Sequence, residues 1–323
     1  MSNQIVLACD LGGTNLRMAA IDDKGHILYR TKRDTPKADR ADEIIRALVE
    51  SAEECRENVK ELGNVSAIAI AAPATVSSEK GIILKAPNVP SLDGFRMVAA
   101  LENELSIRAI LENDANAAAV GENWMGASKG FQSSICVTLG TGVGGGIIIN
   151  EQILGGIDGT AGEIGHICVE PFGAPCGCGS RGCVEQYSSA TAIVRQTQEL
   201  ASQYPKSDLH HKTRLTSKDV YDAGLQGDEL ALEVFRRQGF YLGIALGGLI
   251  NVLNPEAIVI GGGAAAGWDL FFPHLQEQIE ARAYREPRLR ADRAPRLRGR
   301  AQARARIGLE ARRDLRHRHP QDR

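Results

Sequence analysis

No apolar run in this sequence approaches the roughly 20 residues that a membrane-spanning helix needs. No secretory leader is visible either. Met1-Ser2-Asn3-Gln4 is polar, and the apolar stretch that follows stops at Asp10. These two absences lead to the expectation of a cytoplasmic chain with no membrane partner. Proline- and serine-rich linkers are missing, so any domains are joined by ordinary short connections. The pattern G-x-x-x-x-G-K-[ST] is absent, which excludes a P-loop nucleotide site. Lysine is absent from residues 287–323, which carry 13 arginines and 4 acids, a charge of +9. Residues 1–286 carry 25 basic and 36 acidic side chains, a charge of −11. An acidic body argues against a nucleic-acid partner.

A chain of 323 residues with 43% apolar content is long enough for two α/β lobes. Ile5 to Asp10 reads as a buried strand, Leu11-Gly12-Gly13-Thr14-Asn15 as a glycine turn, and Leu16 to Ile21 as the returning strand. Helices are expected over Ala41–Leu62, Leu92–Leu105 and Ala115–Trp124, with strands over Val65–Ala71 and Arg108–Glu112. The opening pattern then restarts. Ser134 to Thr138 is a strand, Leu139 to Gly146 a glycine-rich turn, and Ile147 to Asn150 the returning strand. Residues 190–252 read as mostly helical, and the strand Ala257–Ile260 runs into Gly261-Gly262-Gly263. The repeat implies two lobes of common layout, each presenting a glycine turn to a shared cleft. The expected division is a small α/β lobe over 1–113, a larger α/β lobe over 114–286, and an atypical tail over 287–323.

Three glycine turns that each follow an apolar strand point to phosphate binding, because backbone N–H groups there are not shielded by Cβ atoms. The candidates are Gly12, Gly13, Thr14 and Asn15; Gly140, Thr141 and Gly142; and Gly262 and Gly263. Gly140-x-Gly142-x-x-Gly145 matches the dinucleotide fingerprint, but it leads into Ile147-Ile148-Ile149, a strand and not a helix, so that reading fails. Asp10 ends a strand just before the first turn. A carboxylate there suits the outer shell of a Mg²⁺ ion bound to phosphates; a turn-forming Asx is the other reading. Asp114, in Asn113-Asp114-Ala115-Asn116, lies where a strand ends and a helix begins. It is a candidate base for a hydroxyl substrate, or else a helix N-cap. Asp10, Glu112, Asp114, Glu163 and Glu185 are the carboxylates able to serve as base or to hold sugar hydroxyls.

Seven cysteines in a cytoplasmic chain argue against a disulfide framework. His166, Cys176, Cys178 and Cys183, spaced H-x9-C-x-C-x4-C, fit a closed, structural, tetrahedral zinc site; a reactive thiol pair is the alternative. Such a site would hold the flanking Glu163 and Glu185 in place. Cys9, Cys55, Cys136 and Cys168 read as small core residues.

Taken together, Asp10 to Arg17, Glu112 to Asn116, Leu139 to Gly146, Gly162-Glu163-Ile164-Gly165-His166, Cys176 to Glu185 and Ile260 to Gly263 resemble the ROK family of repressors, open reading frames and sugar kinases. The resemblance covers residues 5–263. It implies the actin-like ATPase (ribonuclease H-like) fold, two lobes around a nucleotide and sugar cleft, ATP with transient Mg²⁺, and a structural Zn²⁺ on His166, Cys176, Cys178 and Cys183. It implies Asp114 as general base toward the 6-hydroxyl of a hexose. Asn88, Asn113, Asp114, Glu163, His166 and Glu185 are implied as sugar-binding residues, so that His166 serves both zinc and sugar. Glu185-Gln186-Tyr187-Ser188-Ser189 is similar to the glucokinase branch, which implies glucose as substrate; other members act on N-acetylmannosamine, fructose or allose. A homodimer or higher homo-oligomer is implied as well. Repressor members carry a winged helix-turn-helix ahead of the first lobe, for which a strand starting at Ile5 leaves no room. A sugar sensor without catalysis would be expected to lose Asp114.

The resemblance stops near Glu286. The tail beyond shows neither period 2 nor a sustained helical period. One reading is a basic arm for nucleic acid or anionic surfaces. The favoured one is a shifted frame in a GC-rich gene, or disorder, since shifted codons of that kind yield Arg, Ala, Pro and Leu.

Overall fold

The computed structural model describes residues 4–37, 40–284, 288–293 and 305–310. The chain divides into two compact units, Met1–Ala118 with Leu154–Gly162, and Ala119–Ile153 with Glu163–Arg323.

In the first unit, β1 (Gln4–Leu11), β2 (Asn15–Asp22) and β3 (Ile27–Asp34) form an antiparallel meander. Helix α1 (Ala41–Val59) crosses to β4 (Asn64–Ala72), which lies parallel to β1. The short hairpin of β5 (Thr75–Ser77) and β6 (Ile82–Lys85) precedes helix α2 (Met97–Leu105). Then β7 (Arg108–Asn113) joins β4 in parallel and runs into helix α3 (Asp114–Met125). The sheet order is β3-β2-β1-β4-β7. Alternation along β1 buries Ile5, Leu7, Cys9 and Leu11 on one face. The apolar stripe Ile44, Leu48, Ala52, Cys55 and Val59 of α1 belongs to the same core. Helix α2 starts later than its sequence suggests. Pro90–Leu92 is a separate 3-10 turn, and Asp93 turns away to accept from the Ala86 N–H at 2.7 Å. The division between the units falls inside α3.

The second unit repeats the plan. In it, β8 (Ser134–Leu139), β9 (Val143–Ile149) and β10 (Gln152–Ile153) are antiparallel neighbours. Helices α4 (Glu185–Ser188), α5 (Ala190–Leu200), α6 (Ser217–Leu225) and α7 (Glu229–Leu253) precede β11 (Ala257–Gly261), which lies parallel to β8. Local chemistry sets the helix starts. Thr216 and Asp219 form a capping box on α6, and Asp228 accepts from the Ala231 N–H at 2.9 Å on α7. Helix α8 (Trp268–Arg282) follows, with Phe235 of α7 and Phe271 of α8 fully buried in the same core. No helix among the described residues is long and apolar enough to cross a membrane.

Three expectations change here. The turn after β8 is short, because Val143 and Gly144 already pair with Leu139 and Thr138; Gly144, Gly145 and Gly146 lie within β9. Cys9, Cys55 and Cys136 are buried as expected, but Cys168 is exposed, on a surface loop that pairs locally with Cys183. Within the Arg-rich tail, β12 (Arg288–Arg293) and β13 (Ala305–Glu310) are strands. β13 pairs antiparallel with β11, extending the sheet to β10-β9-β8-β11-β13-β12, and Ile307 is fully buried. An open edge on β11 supplies the hydrogen-bonding partner that the tail's own side-chain pattern does not advertise. The remainder of the tail lies outside the described residues, as does any question of its reading frame.

Candidate active site

The glycine turn of the first unit is held from behind. The Gly12 N–H donates to the Asn15 carbonyl at 2.9 Å, and the Thr35 hydroxyl donates to the Gly12 carbonyl at 2.6 Å. The Thr35 N–H donates to the Thr14 carbonyl at 2.9 Å. Gly13 lies against Asn88, whose Cβ would stand 3.3 Å from a methyl group at that position. The Gly12 N–H is therefore used inside the turn, and any phosphate contact falls to Gly13, Thr14 and Asn15. Asp10 does not turn back on its loop as an Asx residue. Across the β1–β2 pair it accepts from Arg17 Nη1 at 2.9 Å, with both side chains about half exposed. An exposed pair of this kind contributes only about 0–1 kcal/mol, so a cation could replace Arg17 at little cost. Nothing in the sequence pointed to Thr35.

The junction between β7 and α3 carries the second group. Asn113 is the helix cap. Its Oδ1 accepts from the N–H groups of Ala115 at 2.9 Å and Asn116 at 3.1 Å, and its Nδ2 donates to the Ala74 carbonyl at 3.1 Å. The cap position is thus taken by Asn113, and Asp114, exposed, is the first residue of the helix proper. With both lone pairs of Oδ1 engaged, Asn113 has one N–H left to offer a ligand. Glu112 accepts from three donors: Asn113 N–H at 2.8 Å, Asn116 Nδ2 at 3.0 Å and the Ser78 hydroxyl at 3.1 Å. Those bonds argue against Glu112 as a base.

In the second unit the donor atoms of His166, Cys176, Cys178 and Cys183 all lie within 4.8 Å of one another. Cys178 Sγ and Cys183 Sγ are 3.7 Å apart, as are Cys176 Sγ and His166 Nδ1. A tetrahedral zinc with bonds of about 2.3 Å to sulfur and about 2.0 Å to nitrogen places its donors about 3.5–3.8 Å apart, so the cluster fits that ion. Burial pushes the Cys183 thiol up to about 12, whereas the Ser180 N–H beside Cys178 holds that thiol below its usual range. The loop is shaped by tight turns. Gly182 has φ +68°, and a side chain there would meet the Glu170 carbonyl at 1.7 Å. Tyr187 accepts from the Ala174 N–H at 3.0 Å and stacks on Tyr241 of α7 with ring centroids 3.9 Å apart, which ties the loop to the core.

Glu185 joins this loop to the glycine turn after β8. Its Oε2 accepts from the Val143 N–H at 3.0 Å, and its Oε1 lies 3.9 Å from Cys176 Sγ. Gly142 is required by that arrangement, since a Cβ there would stand 2.3 Å from Glu185 Oε2. Ala190 N–H to the Gly140 carbonyl and Thr191 hydroxyl to the Thr141 carbonyl, both 2.8 Å, fix the turn from α5. The Gly140 N–H is used on the Gly142 carbonyl at 2.9 Å. Gly262, with φ +94°, packs against Leu139 at the end of β8. Glu163 is exposed and starts the 3-10 turn that carries His166, whose N–H donates to the Glu163 carbonyl at 3.0 Å.

The sequence pattern of the ROK family matches residues 6–309. The chain belongs to the ROK family. The match runs past Glu286, where the motif resemblance ends, and takes in both tail strands. The ROK family fold is shared with solved members: a glucokinase from Streptomyces griseus in complex with glucose and AMPPNP gives a TM-score of 0.72 at 33% identity, covering 85% of this chain and 89% of that one. A ROK family transcriptional regulator homologous to the Escherichia coli Mlc protein gives a TM-score of 0.80 at 30% identity, covering 87% of this chain and 71% of that one. Among curated ROK relatives, the glucokinase of Halalkalibacterium halodurans is 38% identical over 289 residues, 88% of this chain and 87% of its own length. The fold is therefore the α/β, actin-like ATPase fold of ROK sugar kinases.

Proposed function

We propose that the protein is a glucokinase, transferring the γ-phosphoryl group of ATP to the 6-hydroxyl of glucose. The observation that carries the reading is the β7–α3 junction. Asn113 caps the helix and Glu112 accepts from three donors, and to Asp114, the first residue of α3, we assign the role of base. Asp114 accepts the proton of the hydroxyl while the oxygen–phosphorus bond forms and the bond to the departing ADP breaks. To Asn88, Asn113, Asp114, Glu163, His166 and Glu185 we assign the holding of sugar hydroxyls. Gly13, Thr14, Asn15, Thr141, Gly142, Gly262 and Gly263 would hold the nucleotide's phosphates, and Asp10 would serve the outer shell of the Mg²⁺ bound with them. Mg²⁺ supplies charge neutralisation on the phosphate oxygens.

Zn²⁺ on His166 Nδ1, Cys176, Cys178 and Cys183 is structural: four protein donors leave no open position. With Nδ1 directed at the cysteines, His166 presents Nε2 to the sugar. The relatives support glucose over other hexoses, since the similar enzymes named above are glucokinases. A sugar-sensing role has one observation in its favour, the likeness to a transcriptional regulator. A cytoplasmic setting suits seven cysteines without a disulfide among them, and a homodimer or higher homo-oligomer is the assembly we propose from the family resemblance.

The test is ADP release by the purified chain with Mg²⁺-ATP and glucose, mannose, fructose, allose or N-acetylmannosamine. Glucose is expected to be much the fastest. Equal or faster turnover of another sugar would replace glucose, and no turnover by folded, zinc-loaded protein would favour the sensor.

A further inference from the structure

Glu112 and the groups around it do more than end a strand. The carboxylate sits two residues before Asp114 and receives Asn113 N–H at 2.8 Å, Asn116 Nδ2 at 3.0 Å and the Ser78 hydroxyl at 3.1 Å. Asn116 is 3% exposed, and its Nδ2 donates to the Glu112 carboxylate. Turning the amide over would set Oδ1 against that carboxylate, so the bond to Glu112 fixes the amide's orientation.

Asp114 is thus bracketed. On one side, Glu112 fixes the Asn113 backbone and Asn113 in turn is tied to Ala74, Ala115 and Asn116. On the other, Asn116 is tied back to Glu112 across the first turn of α3. We infer that Glu112 is a positioning residue for the reaction: its three accepted hydrogen bonds aim the first turn of α3, and with it Asp114, at the substrate hydroxyl. This rests on Asp114 being the base. Asn113 keeps its own bonds to Ala74 and Ala115 without Glu112. Removing Glu112 should therefore disturb turnover much more than sugar binding. A misplacement of about 1 Å at a reacting group can cost about 100-fold in rate.

The test compares Glu112→Ala, Glu112→Asp and Glu112→Gln with Asp114→Asn in the full-length, zinc-loaded protein, measuring kcat, the KM for glucose and the melting temperature. Glutamine can accept from Asn113 and Asn116 through Oε1 and donate to Ser78 through Nε2, so it restores the bonds without the charge. Aspartate keeps the charge but falls one methylene short. The expected result is a kcat about 100-fold lower in Glu112→Ala and at least about 10-fold lower in Glu112→Asp, KM within about threefold, and Glu112→Gln within about fivefold of the parent. Should Glu112→Ala not fold, the Asp and Gln pair decides. The inference is overturned by wild-type kcat in Glu112→Asp, by a Gln variant as slow as the Asp one, or by a loss carried in KM. If Asp114→Asn keeps its turnover, the base assignment itself fails, whatever Glu112 does.

Discussion

The two units carry the same strand–glycine turn–strand device, yet they secure it differently. In the first, the turn after β1 is held by one buried threonine, Thr35, and its acidic neighbour Asp10 is paired only with a half-exposed arginine. In the second, the turn after β8 is held by Glu185, which also reaches the cysteine loop, and by the start of α5. The first arrangement leaves a carboxylate beside the glycine turn in a half-exposed ion pair. The second ties the turn's shape to a loop on which His166, Cys176, Cys178 and Cys183 converge. The proposed chemistry follows the same split: the base we propose, Asp114, belongs to the first unit, and the braced Glu185 to the second.

The largest effect tests the first unit's part. Asp114→Asn should lower kcat by a factor of about 10²–10⁴ with the melting temperature unchanged. A variant within threefold of the parent would remove the base from this unit. Next, the second unit should depend on its metal. Stripping zinc with a chelator should cost about 4 kcal/mol, or roughly 10 °C in Tm, for a site filled at a thousand times its Kd. Elemental analysis without zinc in the purified protein, together with a melting curve indifferent to chelator, would break the comparison. Third, Gly142→Ala places a methyl group 2.3 Å from Glu185 Oε2, whereas Gly13→Ala meets only Asn88 Cβ at 3.3 Å. Losing the Glu185–Val143 bond should raise the KM for ATP about tenfold, more than Gly13→Ala does. The reverse order would mean that the first turn is the less tolerant one. The smallest effect is Thr35→Val, which should lower the unfolding free energy by about 1–2 kcal/mol in a denaturant titration and leave the second turn untouched.

Much of this site was legible before the fold was known, for a physical reason. Glycine turns, a strand-to-helix aspartate and close-set cysteines announce themselves through residue type and spacing, because each meets a local demand. His166, Cys176, Cys178 and Cys183 do converge as their spacing suggested. What stayed hidden depends on partners far away in the chain. Thr35 closes a turn more than 20 residues distant, and Ser78 reaches Glu112 across 34 residues. Whether Asp114 caps α3 was left open, because Asp and Asn are equally good caps; the side chain that turns back is that of Asn113. Cys168 was placed in the core on composition, but its pairing with Cys183 sets it on the exposed side of the loop. The tail strands gave no signal, since β13 is fixed by the open edge of β11 and not by a side-chain pattern of its own.

The most direct measurement of the central claim is the nuclear magnetic resonance spectrum of the product made from Mg²⁺-ATP and glucose. The account predicts one phosphorylated sugar, its phosphorus coupled to the two protons on carbon 6, formed in equal amount with ADP. Phosphate on any other oxygen, or ADP and free phosphate with the glucose unchanged, would contradict it.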